Sequence, residues 1–230
     1  ISRSKYVHIS LTQRIIGGQE VVPHSIKYQA SLQFGKNHYC GGILIHQQWV
    51  VSAAHCWRPT DLNCVSFYSL FSLKAGSKAD CIVSCCKSRC LDLHRKCACI
   101  LQLCCISQLS HPAVLNAYVQ PAHLPDESTP PLDVGTTCTV SGWGVTRIYS
   151  FYLSPVLRAV DVDYIPNCQY YYSFRVNENM ICAGSRFGGK DSCIVSWGIG
   201  CANPYYPGVY TKVRNYNKWI SGIITSDSQS

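Results

Sequence analysis

From Ile15 onward the chain is written in short apolar runs of strand length broken by turn residues, a pattern that confines it to an all-β fold. Residues 28–34 alternate polar with apolar or small side chains, and short runs follow at 41–45 and 49–51. Gly35, Asn37 and Pro59 stand between and beyond them as turn residues. After Pro112 the pattern returns at residues 137–140, 157–162, 194–196 and 208–211. Short strands with such turns close into a sandwich or a barrel. The end departs from the pattern. Tyr216, Trp219, Ile220 and Ile223 stand at i, i+3, i+4 and i+7, which predicts an amphipathic helix over residues 215–224.

At 230 residues the chain forms one large domain or two small ones packed together. Its 47% hydrophobic and 14% charged residues exclude a disordered chain. A net charge of +8 attracts acidic polysaccharide, membrane surfaces or nucleic acid in principle, but a solvated basic surface is the default meaning of such a charge. No run of about eighteen apolar residues occurs, so no membrane-spanning helix is expected. Sixteen cysteines point to an oxidising, extracellular compartment. Residues 1–14 are polar and basic with no apolar stretch of a secretion signal, and Met180 is the only methionine. The chain is therefore expected to be a fragment or an imperfect gene translation.

The middle differs in kind. Eight cysteines fall from Cys81 to Cys105, and residues 74–96 carry six Lys and Arg against Asp80 and Asp92. Thiolates so spaced bind zinc or copper, yet no C-x-x-C pair with a matching partner pair is present, so no metal is expected. The composition changes abruptly and reverts at about Leu109. Residues 64–108 are thus expected to be an aberrant insert, such as a wrong reading frame produces, packing poorly and without regular cysteine pairing.

Six motifs carry a resemblance: Arg14 before Ile15-Ile-Gly-Gly18, then Val51-Ser-Ala-Ala-His-Cys56, Ser141-Gly-Trp-Gly144, Asp191-Ser-Cys193, Ser196-Trp-Gly198 and Pro207-Gly-Val-Tyr210. Through them residues 14–63 and 109–224 resemble the trypsin-like serine proteases, peptidase family S1, of the type that cleaves after Lys or Arg. The resemblance implies two perpendicular six-stranded antiparallel β-barrels with a C-terminal helix. It divides the chain into a propeptide-like segment (1–14), a first barrel (15–120, holding the insert) and a second barrel with the helix (121–230). It further implies a secreted zymogen acting as a monomer on peptide or protein substrates and open to protease inhibitors. No cofactor, nucleic acid or membrane belongs to it.

The same resemblance assigns roles. His55 is the general base, an imidazole whose pKa lies near neutrality. Cleavage after Arg14 frees the Ile15 amine, which turns inward to a buried aspartate and orders the site. Asp191 sits at the base of the S1 pocket and selects Lys or Arg, with Gly198 and Gly208 as walls. Ser196, Trp197 and Gly198 form the edge that pairs with substrate backbone. The implied disulfides are Cys40–Cys56, Cys168–Cys182 and Cys193–Cys201.

Against this template, two catalytic partners are wanting. The nucleophilic serine belongs about six residues past the pocket aspartate, where Trp197 stands, and Cys193 runs directly into Ile194. The triad aspartate belongs about forty-five residues past His55, at Ile100, and residues 93–119 hold no Asp or Glu. The oxyanion glycine, the partner of the Ile15 amine and the mate of Cys138 go with the lost segment, and residues 64–79 have no acidic calcium loop. The second barrel is expected to miss a strand, and the chain to lack peptidase activity. Three readings compete: a trypsin incompletely or wrongly transcribed, an inactive homologue that binds a partner through its basic surface, and a metal or redox protein built on the cysteines. Losses clustered between intact flanks favour the first.

Overall fold

A computed structural model of the chain describes residues 15–34, 37–53, 56, 64–67, 85–90, 104–126, 128–147, 150, 152–173, 175–185, 188–189 and 205–227. The strands are β1 (Gln19–Glu20), β2 (Gln29–Phe34), β3 (Asn37–His46), β4 (Trp49–Ala53), β5 (Cys64–Phe67) and β6 (Cys85–Cys90). After them come β7 (Cys104–Leu109), β8 (Thr137–Gly142), β9 (Arg158–Ile165), β10 (Met180–Gly184) and β11 (Gly208–Thr211). A 3-10 turn spans Cys168–Tyr172, another Val213–Tyr216, and helix α1 (Asn217–Asp227) follows.

Two antiparallel sheets result. The first runs β5-β2-β3-β4-β7-β6. The second runs β1-β9-β10-β11, with β8 on the other side of β9. Both are curled, and with the terminal helix they make a double β-barrel architecture. Asn37, read as a turn residue, instead opens β3 opposite Phe34.

The stretch 64–108 is not external to this sheet over its described residues. It supplies β5, β6 and all of β7 but its last residue, and β7 lies in register on β4 with Val51 opposite Ile106 and Ala53 opposite Cys104. Ile106 and Leu109 are fully buried, and Cys105 is buried and disulfide-bonded. Ile106 packs with Val51 on one face of β7 and Leu109 with Val50 on the other, and the two seat this strand in the sheet.

The core explains the unbroken apolar run at β4. Val50 faces a cluster with Ala30, Leu44, Leu109 and Val119, whereas Trp49 and Val51 face the opposite way. There they meet Ile106 and the helix residues Tyr216, Ile220 and Ile223. A strand covered on both faces has no polar side to show. β10 is the same case, with Ile181 and Ala183 in one cluster and Met180 and Cys182 in another, so its five buried residues carry no alternation to read.

Candidate functional site: the seam between the sheets

Residues 15–20 are built into the second sheet. Ile15 is fully buried among Val140, Val160, Val162, Ile181 and Tyr210, and its backbone N–H donates to Val145 O at 2.8 Å. Gly17 turns the chain with φ 71°, a left-handed conformation suited to glycine. A Cβ on Gly18 would strike Ile15 and come within 3.1 Å of Ala159 O, so only a glycine lets β1 lie against β9 here. Arg158 clamps the arrangement, its guanidinium donating to Gly18 O (3.0 Å) and Ser154 Oγ (3.2 Å).

Beside this segment the two sheets meet through buried polar groups. Gln29, Ser31 and Gln33 occupy one face of β2 and are 3%, 0% and 6% exposed. Alternation along a strand ordinarily assigns its polar face to water. In this protein that face is turned to the second sheet. Ser141 Oγ, on β8, donates to Gln29 Oε1 at 2.8 Å, and Gln29 Nε2 donates to Gly42 O at 3.3 Å. Ser31 Oγ and His38 Nδ1 share a hydrogen bond of 2.7 Å, and the His38 ring lies 5.2 Å from the Trp143 ring. Burial pushes the His38 pKa down to about 4, so the imidazole is neutral near physiological pH. Sequence reasoning missed Gln29, Ser31, Gln33 and His38 as seam residues. The available signal was three polar side chains at i, i+2 and i+4 beside an apolar core face.

Around the remaining motifs the chain is tied by covalent bonds and close packing. Cys40 and Cys56 are joined (S–S 2.05 Å), and Tyr39 Oη donates to Cys56 O at 2.7 Å, which anchors the residue following His55 in sequence. Cys168 and Cys182 are joined (S–S 2.02 Å), tying a 3-10 turn to β10. Gly208 opens β11 opposite Ala183, and a Cβ there would lie 3.0 Å from Tyr210 Cε2 and 3.1 Å from its hydroxyl. Cys138 is a buried free thiol. Burial, with Asp163 and Asp161 adding negative charge, pushes its pKa up to about 11, so it stays protonated and unreactive at neutral pH.

Arg14, His55, Asp191, Cys193, Ser196, Trp197, Gly198 and Cys201 lie outside the described residues. Of the expected site set the structure therefore describes Ile15, Gly208 and the cysteines at 40, 56, 168 and 182. No group of three His, Cys, Asp or Glu suited to a metal occurs among the described residues.

Two antiparallel sheets curled into a double barrel, with Ile15 and Ile16 buried ahead of β1 and a helix at the C-terminal end, define the class of chymotrypsin-like hydrolase folds. The trypsin family matches residues 15–193 and, as a second piece, 194–220. The anionic trypsin of Bos taurus is 37% identical over 236 residues, covering 94% of this chain and 91% of that protein. The anionic trypsin of Canis lupus familiaris is 36% identical over 241 residues (94% and 91%), and trypsin-3 of Salmo salar 36% over 240 (93% and 94%). The chain belongs to the trypsin family of serine proteases.

Proposed function

We propose that this chain is a trypsin-family serine endopeptidase by descent that has lost the chemistry of peptide hydrolysis. The observation that carries the reading is the two-piece family match. It stops at Cys193 and resumes at Ile194 with no residue between, and by the family resemblance the serine and the oxyanion glycine belong at that break. His55 is the surviving general base, without a serine to deprotonate or an aspartate to orient it. Loss of one triad member removes several orders of magnitude of rate, and loss of the oxyanion donor removes most of what remains.

The pocket residues persist in part. Asp191 remains the specificity carboxylate for a Lys or Arg side chain, with Gly198 and Gly208 as walls and Ser196 to Gly198 as the substrate edge. Arg14 and Ile15 are the activation junction, in line with the burial of Ile15. Cys193–Cys201 is a further disulfide, residues 15–120 and 121–230 are the two barrels, and residues 1–14 are a propeptide-like segment. The chain acts outside the cell on peptide or protein ligands and is a target for protease inhibitors. The disulfides support that location.

A serine-directed fluorophosphonate is expected to leave the chain unlabelled, and immobilised benzamidine to retain it only weakly. Inserting Gln-Gly-Asp-Ser-Gly-Gly-Pro and its hairpin after Cys193 should restore benzamidine binding with little catalysis. Stoichiometric labelling of the unaltered chain would overturn the reading.

A further inference from the structure

Among the described residues β8 is an end strand of the second sheet, with β9 on one side and no strand on the other. Tyr164 N–H donates to Thr136 O (2.9 Å), and bonded pairs alternate along an antiparallel ladder. In this register the backbone groups of Cys138 and Val140 bond to β9, and those of Thr137 and Thr139 point away from it. Among the described residues nothing pairs with these outward groups. Edges are ordinarily blunted by charge, proline or a bulge. Thr137–Gly142 has no charged residue and no proline, and its register on β9 is unbroken. Such an edge is a template for one more extended strand.

The chain ahead of Ile15 joins the fold beside that edge. Gln19 and Ser141 both pair with Ala159, so β1 and β8 lie on opposite sides of β9. Ile15 N–H donates to Val145 O, just past β8, and Ile15 packs with Cys138 and Val140. Residues 15–19 thus cross from one side of β9 to the other. Ahead of them Val7, Ile9 and Leu11 alternate with Tyr6, His8, Ser10 and Thr12, a strand pattern without Gly or Pro. At about 3.3 Å per residue, residues 1–14 reach about 45 Å, against roughly 20 Å for β8. Charge matches as well. Asp133 and Asp161 are exposed and Asp163 half-buried toward the Thr137 end of β8, and residues 1–14 hold Arg3, Lys5 and Arg14 with no acid.

We propose that residues 5–12 dock on the outer edge of β8 as an added parallel strand, with Val7, Ile9 and Leu11 on the face of Cys138 and Val140. The direction follows from the anchor. The segment ends beside Val145, beyond the C-terminal end of β8, so running back along the edge it lies parallel to that strand. A register one residue off would turn its apolar side chains to the face of Thr137 and Thr139. Arg3 and Lys5 then come to the Thr137 end, where the carboxylates stand. A second copy or a separate peptide competes with a tethered segment whose effective concentration is on the order of millimolar. The inference does not depend on the proposed loss of catalysis.

Residue-resolved amide exchange, followed by NMR on the full chain, tests this. Thr137 and Thr139 N–H should be protected in the wild type, as Cys138 and Val140 N–H are by β9. Ile9→Pro removes a donor and breaks the added strand, and should speed exchange at Thr137 and Thr139 by about tenfold or more while leaving Cys138 and Val140 unchanged. Ser2→Pro, outside the alternating run, should change none of the four. Unprotected Thr137 and Thr139 in the wild type, indifference to Ile9→Pro, an equal effect of Ser2→Pro, or equal loss at all four amides would each overturn the proposal. So would protection that rises with protein concentration, which gives the edge to a second copy.

Discussion

His38 links the chemistry of one residue to the meeting of two sheets. Its ring is neutral because burial disfavours the cation, with a folded pKa of about 4 against about 6.5 in an unfolded chain. Between those values the unfolded chain binds more protons. The stabilisation is thus fully present above about pH 6.5 and lost as pH falls through 4, a change of about 3 kcal/mol. Urea denaturation of the wild type and of His38→Gln across pH 4 to 7 should show this slope only in the wild type, over the background of carboxylate titration. Gly208 makes a steric statement at the same scale. Gly208→Ala would push the Tyr210 ring out of a packed core and should destabilise by about 1–3 kcal/mol, read as a lower denaturation midpoint at unchanged slope.

Helix α1 shows why an element's pattern is legible when its surroundings are not. The spacing of Tyr216, Trp219, Ile220 and Ile223 announced a helix, and α1 with the preceding 3-10 turn uses these residues against Trp49, Val51 and Ile106. Ile220 is fully buried, so Ile220→Ala is expected to lower stability by about 2–5 kcal/mol in the same assay. A short contact from Asn217 Nδ2 to Pro125 O fastens the helix start to the connection between β7 and β8. β10 and β7 were not legible, for different reasons. β10 is buried on both faces and shows no alternation, and β7 stands at the end of a segment whose cysteines and charges obscured Ile106 and Leu109. β2 was legible as a strand, but its polar face was not legible as a buried one.

For the whole molecule, stability depends on the unfolded chain as well as on the packed one. The Cys168–Cys182 bond closes a loop with a sequence separation of 14, and removing it with a double Cys→Ala change should cost about 3 kcal/mol in the chain-entropy account. Thermal unfolding of the variant against the wild type checks this. The sequence by itself determined the all-β class, the helix, the family motifs and the abrupt join of Cys193 to Ile194, because each is a local pattern of residue types. Only the tertiary structure decided that Gln29, Ser31 and His38 form a buried seam, that β7 belongs to the first sheet, and that β8 pairs with β9 alone among the described strands. Those facts depend on which distant segments meet, and a strand's own residues do not record what will cover it.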